Sequence, residues 1–226
     1  MAVYFDADFP KFFRELSKNN NREWFQSNKD RFKTKVEQPF HAFVTEVIEE
    51  LKAINPKIHI TAKDAIFRIY KDIRFSKDKT PYKEFISAVV SPGGRKDFSA
   101  TGLYFELGKD DIKVYSGVYM PDKKQLASIR YYIADHLKEF QKAISDKKFV
   151  KRFGKILGDQ NKVLPADLKT VANDEKLIYN KNFYYNCNMT KEMLFSPKLV
   201  KELLNCYHDA LPVNAFFDRA IRAGSD

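Results

Sequence analysis

Six basic side chains, Arg68, Lys71, Arg74, Lys77, Lys79 and Lys83, fall within sixteen residues, with only Asp72 and Asp78 among them. Guanidinium and ammonium groups at this density are suited to holding a carboxylate or a phosphate. The same stretch, IFRIYKDIRFSKDKTPYK over 66–83, alternates. Phe67, Ile69, Ile73 and Phe75 share one parity, and Arg68, Tyr70, Asp72 and Arg74 the other. A period of two predicts a strand with one buried face, which would hold a row of charges off a rigid floor. In such a strand Asp72 and Arg74 point the same way, roughly 7 Å apart. Two readings stand side by side: a salt-bridged ladder that orders a polar face, or an anion site in which Asp72 orients the arginines. Lys71 falls on the apolar parity and marks where the strand could break.

Ser76 to Lys83 has turn composition, and a loop after a strand end can gather backbone N–H groups and lysines around a phosphate. It lacks the glycine spacing of a P-loop. Three functions follow from these residues. The first is a binding domain for a phosphorylated or other anionic ligand, held by Arg68, Arg74, Lys77, Lys79 and Lys83. The second is an enzyme on a small anionic substrate, with Asp72 or Asp78 as base and Tyr82 as proton donor. The third is a nucleic-acid binder. It would join the basic segment to the stripe Lys147, Lys148, Lys151, Arg152 and Lys155, with Tyr82, Tyr104, Tyr115 and Tyr119 stacking on bases. The bland alternatives are a solvated helix face for the stripe and ordinary strand propensity for the tyrosines.

Other chemistry finds little footing. His41, His59, His136 and His208 are scattered, with no HxxxH or HExxH pattern, so zinc is not expected. No GxSxG elbow occurs. Cys187 and Cys206 form no CxxC pair and no disulfide framework, and two thiols suit a reducing compartment. No metal and no cofactor is expected. Trp24, beside Phe25 at a helix start, reads as core.

The 226 residues suit one domain spanning 1–226. With 44% apolar residues, 20 of them Phe, a substantial core is within reach. The net charge of +10 divides as +1 over 1–60, +4 over 61–100 and +5 over 101–226, densest in the middle. Such a surplus attracts phosphate-bearing small molecules or nucleic acid. The start, MAVYFDADFP, has no apolar stretch of a signal peptide, and no apolar run approaches a membrane span. A cytoplasmic protein without membrane association is expected.

Helical spacing links Phe9, Phe12, Phe13 and Leu16 after Asp8, and Asn21 can cap the next helix. A long stripe from Phe25 to Ile54 follows, with Pro39 expected to kink or divide it. Phe85 to Ser91, Leu103 to Leu107 and Ile112 to Val118 read as three strands joined by short turns, a meander. Asp122 with Gln125 resembles a capping box ahead of Leu126, Ile129, Ile133, Leu137, Phe140 and Ile144. Lys147 to Leu157 is a further helix. Residues 158–195 are irregular apart from a short strand at Phe183-Tyr184-Tyr185. Ser196-Pro197 starts a helix expected to end at Pro212, and a last short helix carries Phe216, Phe217 and Ile221. Helices, then a meander, then helices predict an α+β fold: a central antiparallel sheet packed by N-terminal and C-terminal helices.

The segment from Phe67 to Lys83 resembles an uncharacterised bacterial and fungal family, domain of unknown function 2461. The resemblance extends to Asn20-Asn21-Arg22-Glu23-Trp24-Phe25, Gly94-Arg95-Lys96, Tyr119-Met120-Pro121, Ile129-Arg130, Ser196-Pro197 and Phe217-Asp218-Arg219-Ala220. It covers nearly the whole chain. At Lys71 the family usually carries Arg, so the charge is kept and the planar fork is lost. The resemblance implies no activity, substrate or cofactor.

Overall fold

Alternating apolar residues decide where the sheet closes. The computed structural model describes residues 2–96 and 100–224. The helices before the sheet are α1 (Asp8–Lys18), α2 (Arg22–Ser27), α3 (Lys29–Phe32), α4 (Gln38–Ile54) and α5 (Ala62–Ala65). The strands β1 (Phe85–Val90), β2 (Gly102–Gly108) and β3 (Asp111–Val118) follow. Then come α6 (Lys123–Asp135), α7 (Leu137–Ile144), α8 (Lys147–Phe153) and α9 (Val171–Asp174), a fourth strand β4 (Phe183–Thr190), and the long α10 (Leu199–Ala223). The fold is α+β, with an antiparallel sheet in the order β1-β2-β3-β4.

One parity of each strand points into the core. Ile86, Ala88 and Val90 of β1, Leu103, Phe105 and Leu107 of β2, and Ile112, Val114 and Val118 of β3 are all buried. Phe40 and Phe43 of α4 meet Phe105 edge-on, with ring centroids 6.1 and 5.8 Å away. Across β3, α10 is fixed by polar contacts as well as packing. Buried Asn214 donates to Ser116 Oγ at 2.9 Å and accepts from the Tyr185 hydroxyl. A buried amide with partners on both sides sets the position of the helix along the strand.

Capping follows the sequence. Asn21 Oδ1 accepts from the Trp24 amide at 2.9 Å, and Asp122 and Gln125 form the expected capping box. Pro39 lies in the first turn of α4, directly after a π-turn over Lys33–Glu37. The ring, with no N–H to donate, thus falls where the hydrogen-bond ladder already changes. Asp8 lies in the first turn of α1 and takes two bonds from Arg31, at 2.9 and 2.6 Å. Arg31 is 23% exposed and also reaches Glu15. Its bonds to Asp8 hold the carboxyl below its ordinary 3.8. A depressed carboxyl stabilises the fold above the unfolded value and loses that contribution as pH falls through the folded one. Asp8→Asn is therefore expected to cost about 1 kcal/mol at pH 7, allowing for solvent screening. The deficit relative to wild type should begin to shrink in urea titrations carried below 3.8 and vanish only once the pH lies below the lowered value that the fold imposes.

Three expectations need correction. Pro212 does not end a helix; α10 runs through it to Ala223. Val213, Phe216, Phe217 and Ala220 on the far side are buried, and their burial outweighs one missing hydrogen bond. The helix begun at Lys147 stops at Phe153, four residues early, where Gly154 adopts a φ of 75°. Residues 66–75 form no continuous strand. Ile66 makes a single bridge to Ala88 and Tyr70 one to Tyr82, while Phe75 is 95% exposed. No helix among the described residues is long and apolar enough to cross a membrane.

Candidate functional site

The basic segment leaves the edge of β1 as a ragged hairpin. Phe67 donates its amide to the Ser87 carbonyl at 2.9 Å, Lys83 to Ile69 at 2.8 Å and Lys71 to Pro81 at 2.9 Å. Asn20 clamps the base by exchanging two bonds with the Tyr82 backbone, at 3.0 and 3.1 Å. The tip is tied by its own side chains. Asp78 accepts from the Thr80 amide and hydroxyl and from Lys71 Nζ, the last at 2.7 Å. Asp72 holds Arg74 through Nε at 3.0 Å and Nη2 at 2.7 Å, and Lys79 Nζ caps the Ile73 carbonyl at 3.0 Å. Both carboxyls ionise more easily than usual. Arg74 brings Asp72 to about 2, and Lys71 with Thr80 takes Asp78 lower still. Carboxylates held so low are weak bases at neutral pH.

The second parity of the strands builds a different place. Val89, Tyr104 and Tyr115 are mutual register partners across β1, β2 and β3, and Glu106 stands two residues along from Tyr104. These side chains face away from the core and line a cavity of about 500 Å³ with Phe67, Tyr184 and, near its mouth, Tyr119 and Met120. Gly102 and Gly117, paired across β2 and β3, line it without side chains. Met120 has a φ of 54°, an uncommon conformation for a residue with a side chain, and its amide is fixed by Asn182 Oδ1 at 2.9 Å.

Tyr104, Tyr115, Glu106 and Lys83 dominate the electrostatics of this hollow. The Tyr104 hydroxyl donates to Glu106 Oε1 at 2.7 Å. Burial, with the Glu106 charge adding to it, raises the Tyr104 phenol well above its ordinary value. Tyr115 is raised first by burial and then by Glu106. Ser87 lies across from Glu106 in the register, and among the described residues its buried Oγ has no hydrogen-bond partner of good geometry, although it lies beside the Tyr104 hydroxyl. Lys83 is half-buried, its Nζ 5.3 Å from the Phe67 ring centre and 6.0 Å from that of Phe85. Burial lowers the pKa of its ammonium and Arg68 lowers it further, while Glu106 opposes them. Among the described residues Lys83 has no carboxylate at ion-pair distance, and neither does Arg68.

The conserved hypothetical protein family DUF2461 matches residues 8–216. The chain belongs to that family. No curated protein matches it.

In this DUF2461 member the proposed site residues divide. Arg68 and Lys83 lie at the foot of the hairpin and feel one another's charge, and Glu106 acts on Lys83 from the cavity wall. Arg74 and Lys79 are spent on Asp72 and on a carbonyl within the tip. Lys77 is exposed and makes no ion pair among the described residues. Tyr82 is only 1% exposed and stacks on Phe25 with centroids 4.1 Å apart, which puts it in the core rather than on a ligand. Tyr104, Tyr115 and Tyr119 do gather at one place. Arg152 of the basic stripe pairs with Glu202 and Asp209, whereas Lys147, Lys148 and Lys151 are exposed. Several residues of the family resemblance act as fasteners. Besides Asn20, buried Arg130 donates to the Asn180 carbonyl at 3.0 Å, and Asp218 accepts from the Thr101 amide at 2.7 Å.

Sequence reasoning missed Glu106, Tyr184 and the glycine pair. A signal existed for Glu106, which shares the polar parity of β2 with Tyr104. What it lacked was the register that sets Glu106 opposite Ser87 and next to the hairpin's Lys83.

Proposed function

We propose that the open face of the sheet binds a small ligand with a flat or apolar body and an anionic group, phosphate or carboxylate. The half-buried Lys83 ammonium beside a tyrosine-lined cavity carries this reading. Removing an ammonium from water without a paired carboxylate is unfavourable, and a ligand's anion would offset that cost. Arg68 adds a second positive charge at the same end. Tyrosine faces suit a planar body, and Glu106 can accept a hydrogen bond from it. A second reading, proton transfer to or from the bound molecule, is favoured by the Tyr104–Glu106 bond. It places the base at Glu106 rather than at Asp72 or Asp78.

The test is a thermal-shift screen of nucleotides, sugar phosphates, aromatic carboxylates and short oligonucleotides against wild type, Lys83→Met and Arg74→Ala. A ligand of the cavity raises the wild-type melting temperature. It is expected to bind Lys83→Met at least about tenfold more weakly, a loss of roughly 1.4 kcal/mol, and Arg74→Ala about as well as wild type. Equal binding by Lys83→Met overturns the cavity site, and loss on Arg74→Ala instead moves the site to the hairpin tip. Any ligand found is then followed for turnover by wild type and Glu106→Gln. Turnover that survives in the variant rejects the acid–base reading.

A further inference from the structure

The two cysteines, nineteen positions apart in sequence, meet in the fold with their Sγ atoms 3.6 Å apart. Cys187 comes from the edge strand β4 and is partly exposed; Cys206 comes from α10 and is buried. Arg152 of α8 stands beside them, with Nη1 3.6 Å from Cys206 Sγ, and Glu202 and Asp209 hold it there. We propose that Cys187 and Cys206 are a reversible redox modification site, oxidised to an intramolecular disulfide by low-molecular-weight disulfides.

The geometry sets the order of events. A disulfide needs sulfurs about 2.05 Å apart, so these must approach by about 1.5 Å, within reach of side-chain rotation plus a small shift of an edge strand. Cys187 is the thiol a reagent can reach. The contact with Cys206 and the Arg152 charge both favour its thiolate against the effect of burial. The same contact, with burial, pushes Cys206 the other way. Cys187 is thus the attacking thiolate and Cys206 the resolving thiol. In the first step Cys187 Sγ bonds to one sulfur of the small disulfide, whose S–S bond breaks and releases one thiolate. The Cys187 negative charge is then gone, and Cys206 loses its proton more easily beside Arg152. That proton goes to the released thiolate. Cys206 Sγ next attacks Cys187 Sγ and expels the second small thiolate, which takes up the proton that Cys187 gave to solvent. In sum two protein thiols and one small disulfide become one protein disulfide and two small thiols. Closure would tie β4, which carries Tyr184 into the cavity wall, to α10.

The experiment treats the folded, reduced full chain with oxidised glutathione, blocks remaining thiols with iodoacetamide and reads peptides by mass spectrometry. Wild type is expected to yield the Cys187–Cys206 cross-link and release two glutathione thiols per chain. Cys206→Ser should stop at the Cys187 mixed disulfide with one released. In folded Cys187→Ser, Cys206 should react at least about tenfold more slowly than Cys187 does in wild type. Wild type that keeps both thiols, or halts at a mixed disulfide, overturns the proposal. Faster reaction at Cys206 overturns the assigned order. Should either variant fail to fold, the wild-type cross-link and thiol count decide alone.

Discussion

Phe105→Ala is expected to cost about 4 kcal/mol, because it opens a void that its neighbours cannot refill. Phe105 is fully buried at the centre of β2. Its register partners are Ala88 on one side and Val114 on the other, and the rings of Phe40 and Phe43 press on it from α4. Ala88 is too short to lean into the gap, and Val114 is held in a central strand bonded on both edges. The two phenylalanines would have to draw α4 toward the sheet against packing already close to crystalline density. Phe105→Leu keeps most of the volume and should lose only about 1.5 kcal/mol. Urea titration of both variants at constant m-value checks the pair. Equal losses for the two would mean that the layer between α4 and the sheet collapses around the gap.

The meander was legible because β2 and most of β3 alternate and their inward Leu103, Phe105, Leu107, Ile112, Val114 and Val118 are apolar, while short turns separate the strands. The capping at Asn21 and Asp122 was legible for a similar reason: a short polar side chain at a helix start has one local partner to satisfy. Elsewhere local pattern and tertiary placement diverge. The parity of Phe67, Ile69, Ile73 and Phe75 imitates a strand, yet Ile69 is buried and Phe75 stands in solvent. Asp72 and Asp78 bond to amides two residues on, at 3.3 and 2.9 Å, and such local bonds turn the chain out of an extended ladder. The strand β4 was visible only at Phe183-Tyr184-Tyr185. Its second half, Asn186 to Thr190, has weak strand propensity and is held by pairing with β3, some seventy residues back in sequence. The site was half legible. The charge of Arg68 and Lys83 and the tyrosines on the polar parity could be read from the chain. Their meeting at the open face depends on how the hairpin base registers against β1, and no local pattern encodes that.

Gly117→Ala is expected to destabilise the protein by about 3 kcal/mol, combining a conformational penalty with a backbone clash. Gly117 has a φ of 99°, where a side chain is disfavoured, and it pairs with Tyr184 of β4. A Cβ placed there would lie 2.2 Å from the Phe183 carbonyl oxygen and 3.1 Å from Tyr184 Cα. Both are backbone atoms of the neighbouring strand, so no rotamer change relieves the contact. β3 and β4 must part, and bonds in their ladder lengthen or break. Gly154→Ala separates the two contributions. Gly154 also has a positive φ, 75°, but among the described residues no atom beyond its chain neighbours lies within 4 Å of its Cβ position. It should lose only the conformational part, about 1 kcal/mol. The extra cost at Gly117 then measures the close approach of the two strands beneath the cavity. Since Gly117 lines that cavity, the variant should also lose ligand-dependent thermal stabilisation more steeply than Gly154→Ala. Equal unfolding free energies for the two variants would show that β4 can move away from β3 without penalty, and a cavity wall that loose could not hold Tyr184 against a ligand.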